Sequence, residues 1–151
     1  MNTIEHNNLP EILFEVEKIA RVAGLKILEI YETDFSVTSK EDNSPLTLAD
    51  TEANKIICQG LSNLTPNIPI LSEESSQIDY GERSQWSQYW LVDPLDGTRE
   101  FIKRNGEFTV NIALIDGNKS ILGVVYIPVS ETSYVAATSY GAHKFDKENG
   151  Q

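Results

Sequence analysis

The residues best suited to chemistry lie in segment 90–98, where an apolar run ends in two aspartates, Asp93 and Asp96. The apolar run is typical of a buried strand, and Pro94 breaks it, so we expect both carboxylates at the strand's carboxyl end. Carboxylates are hard oxygen ligands of the kind Mg²⁺ prefers. Pro94 also fixes φ, so that the Leu95 carbonyl can point the same way. The sequence therefore predicts a magnesium site at this strand end.

An anion site is predicted directly after the two aspartates. Gly97 has no side chain, which lets backbone N–H groups approach an anion closely, and it is a second strand-breaking residue. Thr98 adds a hydroxyl where a short helix can begin, although it can equally be an ordinary first helical residue. Metal, phosphate and strand end are thus expected at one place.

A second pair of acids, Glu73 and Glu74, follows the short apolar run Ile68–Leu71. Taken alone, such a pair is usually a solvated surface feature, just as Asp93 and Asp96 each have an explanation as turn residues. Together, these acids at neighbouring strand ends would repel one another strongly. A divalent cation is the usual means of making such a cluster tolerable.

Asp50 has two interpretations. It stands three residues after Thr47, whose hydroxyl can cap a helix, so the acid can complete a capping box or favour the helix dipole. This structural role is the one that the sequence alone favours. A catalytic role for Asp50 together with Thr98 depends on a proximity that spacing does not establish.

Composition narrows the class of protein. The 151 residues are 40% hydrophobic, and 23 acidic residues against 12 basic ones give a formal charge of -11. A chain this acidic is unsuited to nonspecific binding of nucleic-acid polymers or anionic membranes. The single cysteine, Cys58, lies in an apolar helical pattern, and neither His6 nor His143 has metal-ligand spacing. Without a leader-like or membrane-spanning run, we expect a cytoplasmic protein.

Apolar periodicity predicts two helices followed by strands. The helices are expected from Leu9 to Tyr31 and from Thr47 to Leu64, with a polar loop at Thr33–Pro45, which contains Lys40, between them. Strands are expected at Ile68–Leu71, Tyr89–Val92, Phe108–Ile115, Ser120–Ile127, Thr132–Ala137 and Ala142–Phe145. Asp116-Gly117 is a favoured hairpin turn. The fold class is therefore α+β, with two long helices packed on one face of a mostly antiparallel sheet.

The carboxyl-terminal residues 146–150 have the chemistry of another hairpin turn, yet no returning strand follows. We expect the last strand to leave an exposed sheet edge unless another chain covers it, so the chain should either be less stable or associate.

Three ordered motifs resemble those of the lithium-sensitive, Mg²⁺-dependent phosphatase family that includes inositol monophosphatase. Asp93 to Thr98 matches its Asp-Pro-[Ile/Leu]-Asp-Gly-Thr motif, 71–75 its Glu-Glu element, and 44–50 its Pro-x-Thr-x-x-Asp element. The extension 99–115 is similar to the bacterial 3'(2'),5'-bisphosphate nucleotidase branch, the CysQ type. The resemblance covers nearly all of the chain.

The resemblance implies roles for these residues. Metal ligands for two or three Mg²⁺ ions would be the Glu73, Asp93 and Asp96 carboxylates and the Leu95 carbonyl. Asp50 and Thr98 would orient and deprotonate the attacking water, with Glu73 also catalytic. The substrate would be bound by Glu73, Leu95, Asp96, Gly97 and Thr98, and Glu74 would support the metal ligands from behind.

The function implied by the resemblance is hydrolysis of adenosine 3',5'-bisphosphate to AMP and phosphate, which supports sulfur assimilation. The alternatives are an inositol monophosphate or fructose bisphosphate phosphatase, and a catalytically inactive, cation-binding fragment. Residues 1–151 would form the amino-terminal metal-binding domain of the layered α/β/α/β/α sugar-phosphatase fold. The carboxyl-terminal α/β domain, with its Trp-Asp metal ligand, would be absent. The resemblance also implies peripheral association with the inner face of the cell membrane.

Overall fold

The computed structural model describes residues 3–33, 44–74 and 78–146, which form four helices and six strands. The helices are α1 (Leu9–Tyr31), α2 (Pro45–Leu64), α3 (Tyr80–Arg83) and α4 (Thr98–Lys103). The strands are β1 (Ile70–Ser72), β2 (Gln88–Asp96), β3 (Thr109–Asp116), β4 (Lys119–Ile127), β5 (Thr132–Ala137) and β6 (Gly141–Phe145). The residues outside the described ranges are 1–2, 34–43, 75–77 and 147–151. They include Lys40, most of the expected loop and most of the expected final turn.

Helix α1 has the predicted bounds. Its buried side chains recur at helical spacing, and Pro10 occupies the first turn, where the missing N–H costs no hydrogen bond. A short 3-10 turn at residues 6–8 leads into it.

The predicted start of α2 at Thr47 was wrong. The helix begins at Pro45, and the Ser44 hydroxyl caps it by accepting the Thr47 N–H at 3.1 Å. A serine followed by a proline at the first helical position is itself a helix-start signal. Thr47 lies inside the first turn and Asp50 more than a turn into the helix, so Asp50 does not complete a cap.

The six strands form one sheet in the order β1-β2-β3-β4-β5-β6. Only β1 and β2 pair in parallel, and the four remaining pairs are antiparallel, as predicted. Strand β5 has its predicted bounds, and β3, β4 and β6 differ from theirs by one residue. The β3–β4 turn is formed by Gly117 and Asn118 rather than by Asp116-Gly117, because Asp116 still pairs with Lys119.

Strand β2 continues through the motif, which corrects the expectation that Pro94 ends it. It extends to Asp96, with an irregular register between Asp93 and Asp96. Proline has no N–H to donate, so within a sheet it fits only where no neighbouring strand would accept that hydrogen bond. The neighbouring strand β1 ends at Ser72, opposite Val92, so Pro94 has no partner to lose on that side.

Both long helices pack on one face of the sheet, which we call the helix face. Helix α1 contacts β3, β4 and β5, and α2 contacts β2. The core between them is apolar and includes Trp90, Phe101 and Phe108, each fully buried. The opposite face, here called the open face, presents Leu91, Val125 and Tyr134, because side chains alternate along each strand.

The predicted fold class is confirmed. Among the described residues, no helix combines the length and hydropathy needed to cross a bilayer.

Candidate active site

The two motif aspartates lie on β2 across from β3. Asp93 is opposite Asn111, and Asp96 is opposite Thr109, with the register shift between the two pairs. Such an irregularity re-aims side chains next to it. The amide Nδ2 of Asn111 donates to Asp96 Oδ2 at 3.0 Å. Asn111 was given no role at the sequence level, although it lies in the matched extension 99–115, because that resemblance did not mark any one of its residues as functional.

Asp93 is surrounded by other acids. Burial, followed by the negative charges of Glu73 and Asp96, raises the pKa of Asp93 to about 6. The Leu95 N–H donates a hydrogen bond to this carboxyl and opposes that pKa rise. The structure therefore brings Glu73 from the end of β1 close to the motif on β2, as the sequence predicted.

Glu73 and Glu74 are held by the end of β1. The Glu73 N–H donates to the Val92 carbonyl at 3.3 Å, which extends the parallel pairing by one residue. The buried Ser72 hydroxyl accepts the Glu74 N–H at 3.3 Å and donates to Asn54 Oδ1 at 2.6 Å. Asn54 and Ser72 thus join α2 to the acidic turn, and sequence reasoning missed both.

Asp50 faces the same acids from α2, one helical turn before Asn54. Burial raises its pKa to about 7, and the charges of Glu74, Asp93 and Glu73 add to the effect. An acid with this pKa can take up a proton near neutral pH. The structure therefore rules out the helix-cap interpretation of Asp50, and its functional role stays a prediction.

Gly97 has a conformation that requires glycine. Its φ is +94°, and a Cβ at this position would lie 3.2 Å from Phe108 Cα and 3.3 Å from the Glu107 carbonyl oxygen. Thr98 follows as the exposed first residue of α4, so the predicted short helix is confirmed. Helix α4 contacts α2, which carries Asp50. No hydrogen bond joins these two described residues, Asp50 and Thr98, and their pairing stays a prediction.

The acids form an electrostatic cluster rather than a finished coordination shell. Within the described ranges, no three His, Cys, Asp or Glu side chains converge with metal-site geometry. No lysine or arginine in those ranges forms an ion pair with Asp50, Glu73, Asp93 or Asp96. Several carboxylates without a cationic side chain to offset them are the donor set that suits Mg²⁺. The residues present therefore fit the predicted metal.

Comparison with known proteins gives consistent relatives. The model of the inositol monophosphatase family matches residues 8–150. The 3'(2'),5'-bisphosphate nucleotidase CysQ of Escherichia coli K12 is 56% identical over 128 residues, covering 83% of this chain and 52% of its own. CysQ of Haemophilus influenzae is 41% identical over 133 residues, covering 88% of this chain and 49% of its own.

A solved structure is similar over almost the whole chain. The crystal structure of CysQ from Bacteroides thetaiotaomicron superposes with a TM-score of 0.84 at 46% identity. The match covers 99% of this chain and 53% of that one. This chain thus spans about half the length of the relatives it matches.

Proposed function

The chain belongs to the inositol monophosphatase family, and we propose that it carries the metal-binding and phosphate-binding part of a Mg²⁺-dependent 3'(2'),5'-bisphosphate nucleotidase. The reaction is hydrolysis of adenosine 3',5'-bisphosphate to AMP and phosphate. One observation carries the proposal: Asp50 on α2, Glu73 in the turn after β1 and Asp93 on β2 share one electrostatic site. The identity of the CysQ relatives, up to 56%, supports the choice of substrate.

Four groups would hold the metal: the carboxylates of Glu73, Asp93 and Asp96, and the Leu95 carbonyl. Two or three Mg²⁺ ions are expected. The metal supplies neutralisation of phosphoryl charge and a lowered pKa for bound water. Leu95 is only 2% exposed, so its side chain anchors the backbone from which its carbonyl must act.

The remaining residues act on water and phosphate. Asp50, with its raised pKa, accepts the proton of the attacking water, while Thr98 orients that water together with Glu73. The N–H groups of Gly97 and Thr98 receive the phosphate, since only glycine leaves the backbone accessible there. Glu74 supports the metal ligands through the turn that Ser72 holds.

The test is phosphate release by the 151-residue chain from adenosine 3',5'-bisphosphate, with Mg²⁺ and with EDTA. We expect release that requires Mg²⁺, is inhibited by lithium and falls at least 100-fold in Asp93→Asn. Lys18→Ala, on the exposed side of α1, is the matched control and keeps full activity. Faster release from inositol monophosphate or fructose bisphosphate would assign the chain to a sister activity.

A second candidate function is a cation-binding fragment without turnover. The chain spans about half the length of the relatives it matches, so this candidate concerns cation binding by that half alone. Mg²⁺ uptake in calorimetry without phosphate release from any of the three substrates would support this candidate over the enzyme. A homo-oligomer or a partner chain would then complete the site.

The role in sulfur assimilation, a cytoplasmic location and peripheral association with the inner membrane face belong to the same proposal. The first and the last follow from the family resemblance, and the cytoplasmic location follows from the sequence pattern.

A further inference from the structure

Strand β3 places two polar residues directly across from the motif aspartates. Thr109 is the register partner of Asp96, and Asn111 is the register partner of Asp93. Both alternate with the buried residues Phe108, Val110 and Ile112, so they lie on the side of β3 away from the helices. Next to the motif aspartates, β3 is therefore apolar on the helix face and polar on the open face.

A chain of two hydrogen bonds runs along these residues. The Thr109 hydroxyl donates to Asn111 Oδ1 at 3.0 Å, and Asn111 Nδ2 donates to Asp96 Oδ2 at 3.0 Å. The Asp96 carboxylate can only accept, so it requires the NH₂ end of the amide, and the Thr109 hydroxyl then donates to the carbonyl end. The Asn111 side chain is thus held at both ends, by Asp96 on the neighbouring strand and by Thr109 on its own strand.

We propose that Asn111 is a positioning residue for Asp96, with Thr109 holding the Asn111 amide in its donating orientation. The inference rests on the proposed function, in which Asp96 binds Mg²⁺. An amide bonded to Oδ2 restrains the carboxylate and leaves Oδ1 as the oxygen best placed for a cation. Partners that orient metal ligands in this way commonly change metal affinity 10–100-fold.

A neutral donor is well suited to this place. Asp96 lies within electrostatic range of Asp93, whose own surroundings are acidic, so an acid at position 111 would add repulsion. A lysine or arginine would compete with the cation for the carboxylate. Asparagine donates a hydrogen bond without changing the charge of the site.

The experiment measures Mg²⁺ binding by calorimetry in the full 151-residue chain and in three variants. Asn111→Ala removes the donor, and we expect about tenfold weaker Mg²⁺ binding. Thr109→Val keeps the shape and the strand preference but removes the hydroxyl, and we expect a threefold to fivefold loss. Thr109→Ser restores the hydroxyl and should return affinity to within twofold of the wild type.

Asn63→Ala is the matched control, because Asn63 accepts an exposed side-chain hydrogen bond from Gln59 on α2, away from the acids. It should leave Mg²⁺ affinity unchanged. With turnover, the Asn111 and Thr109→Val variants should need more Mg²⁺ for half-maximal rate while KM for the nucleotide at saturating Mg²⁺ stays constant.

The outcomes separate this inference from the proposed function. If the wild type binds no Mg²⁺, the proposed function fails and this inference fails with it. If the wild type binds Mg²⁺ and both Asn111→Ala and Thr109→Val bind it equally well, the positioning role alone is overturned. Should Asn111→Ala not fold, the comparison of Thr109→Val with Thr109→Ser decides, since valine and serine at 109 differ in the hydroxyl that orients the amide.

Discussion

At the scale of single residues, Asp50 shows how position changes the meaning of a side chain. Three residues after Thr47 it has the spacing of a cap, yet the helix starts at Pro45 and the acid lies more than a turn inside it. Its neighbours are then other acids, and the pKa rises to about 7. The sequence motif could not show which residues lie next to Asp50 in the folded protein.

Replacing Asp50 with asparagine should change how stability depends on pH. The folded-state pKa lies above the unfolded value of 3.8, so folded protein binds a proton that unfolded protein has released. Protonated Asp50 contributes fully to folding stability below pH 4, and this contribution is lost as pH rises to about 7. In EDTA, we expect Tm of Asp50→Asn minus Tm of the wild type to grow across this window and level off above it.

Thermal unfolding followed by circular dichroism from pH 4 to pH 8 measures this difference. Glu52→Gln, in the same helix, removes a carboxylate that pairs with Lys55, and its pH profile gives the baseline for losing an acid from α2. A difference in Tm that does not change with pH for Asp50→Asn would mean that the pKa of Asp50 is not raised. Added Mg²⁺ should reduce the wild-type slope, because a bound cation favours the ionised carboxylates.

Gly97 provides a second residue-scale prediction. At φ +94° with backbone atoms 3.2 and 3.3 Å from the site of a Cβ, alanine adds both strain and crowding. We expect Gly97→Ala to lower the free energy of unfolding by about 1–3 kcal/mol and to abolish phosphate binding. Urea unfolding and phosphate titration measure the two effects.

Gly123→Ala is the control, since nothing lies within 4 Å of a Cβ there. It should change stability little and leave phosphate binding intact. Equal losses in both glycine variants would contradict a special role for Gly97.

At the scale of elements, the packing of α1 against the sheet also depends on a glycine that leaves no room for a side chain. A Cβ on Gly24 would lie 2.5 Å from Tyr126 Cε2 on β4. Nearby, Glu17 of α1 is buried, forms an ion pair with Arg21 and accepts the Ser133 hydroxyl from β5 at 2.7 Å. The helix therefore meets the sheet through its apolar stripe, with one close glycine contact and one hydrogen-bonded buried acid among these residues.

Gly24→Ala should destabilise the protein although alanine is the better helix former. The propensity gain is about 1 kcal/mol, whereas overpacking against Tyr126 costs about 1–3 kcal/mol. We expect lower stability in urea and recovery in the double variant Gly24→Ala/Tyr126→Leu. Val22→Ala, at an exposed position of α1, gives the baseline for a helix-surface change.

Element bounds were predictable where one local rule acts alone. Helix α1 follows from its apolar period, and β5 from β-branched and apolar residues between turns. The end of β2 was not predictable, because whether Pro94 interrupts a ladder depends on where β1 stops. The start of α2 could have been predicted from Ser44-Pro45, a signal that the Thr47 interpretation overlooked.

At the scale of the whole molecule, α1 and α2 cover one face of the sheet, and the open face combines the polar residues near the site with an exposed apolar patch. On the open face, Leu91, Val125 and Tyr134 are 41%, 40% and 46% exposed. A depression of about 450 Å³ next to Val125 and Tyr134 is lined by small residues that include Gly123 and Ala136. A contiguous apolar surface of this kind binds hydrophobic molecules.

We therefore expect the chain to bind the dye ANS while fully folded. The double variant Leu91→Lys/Val125→Lys should at least halve ANS fluorescence and keep Tm within a few degrees, since these side chains lie outside the core between sheet and helices. Val22→Lys, at an exposed position of α1, controls for charge alone and should reduce ANS fluorescence less. Unchanged fluorescence in the double variant would show that the dye binds elsewhere. A large fall in Tm would show instead that Leu91 and Val125 stabilise the fold from the open face. ANS fluorescence and Tm together therefore distinguish a binding surface from a part of the core.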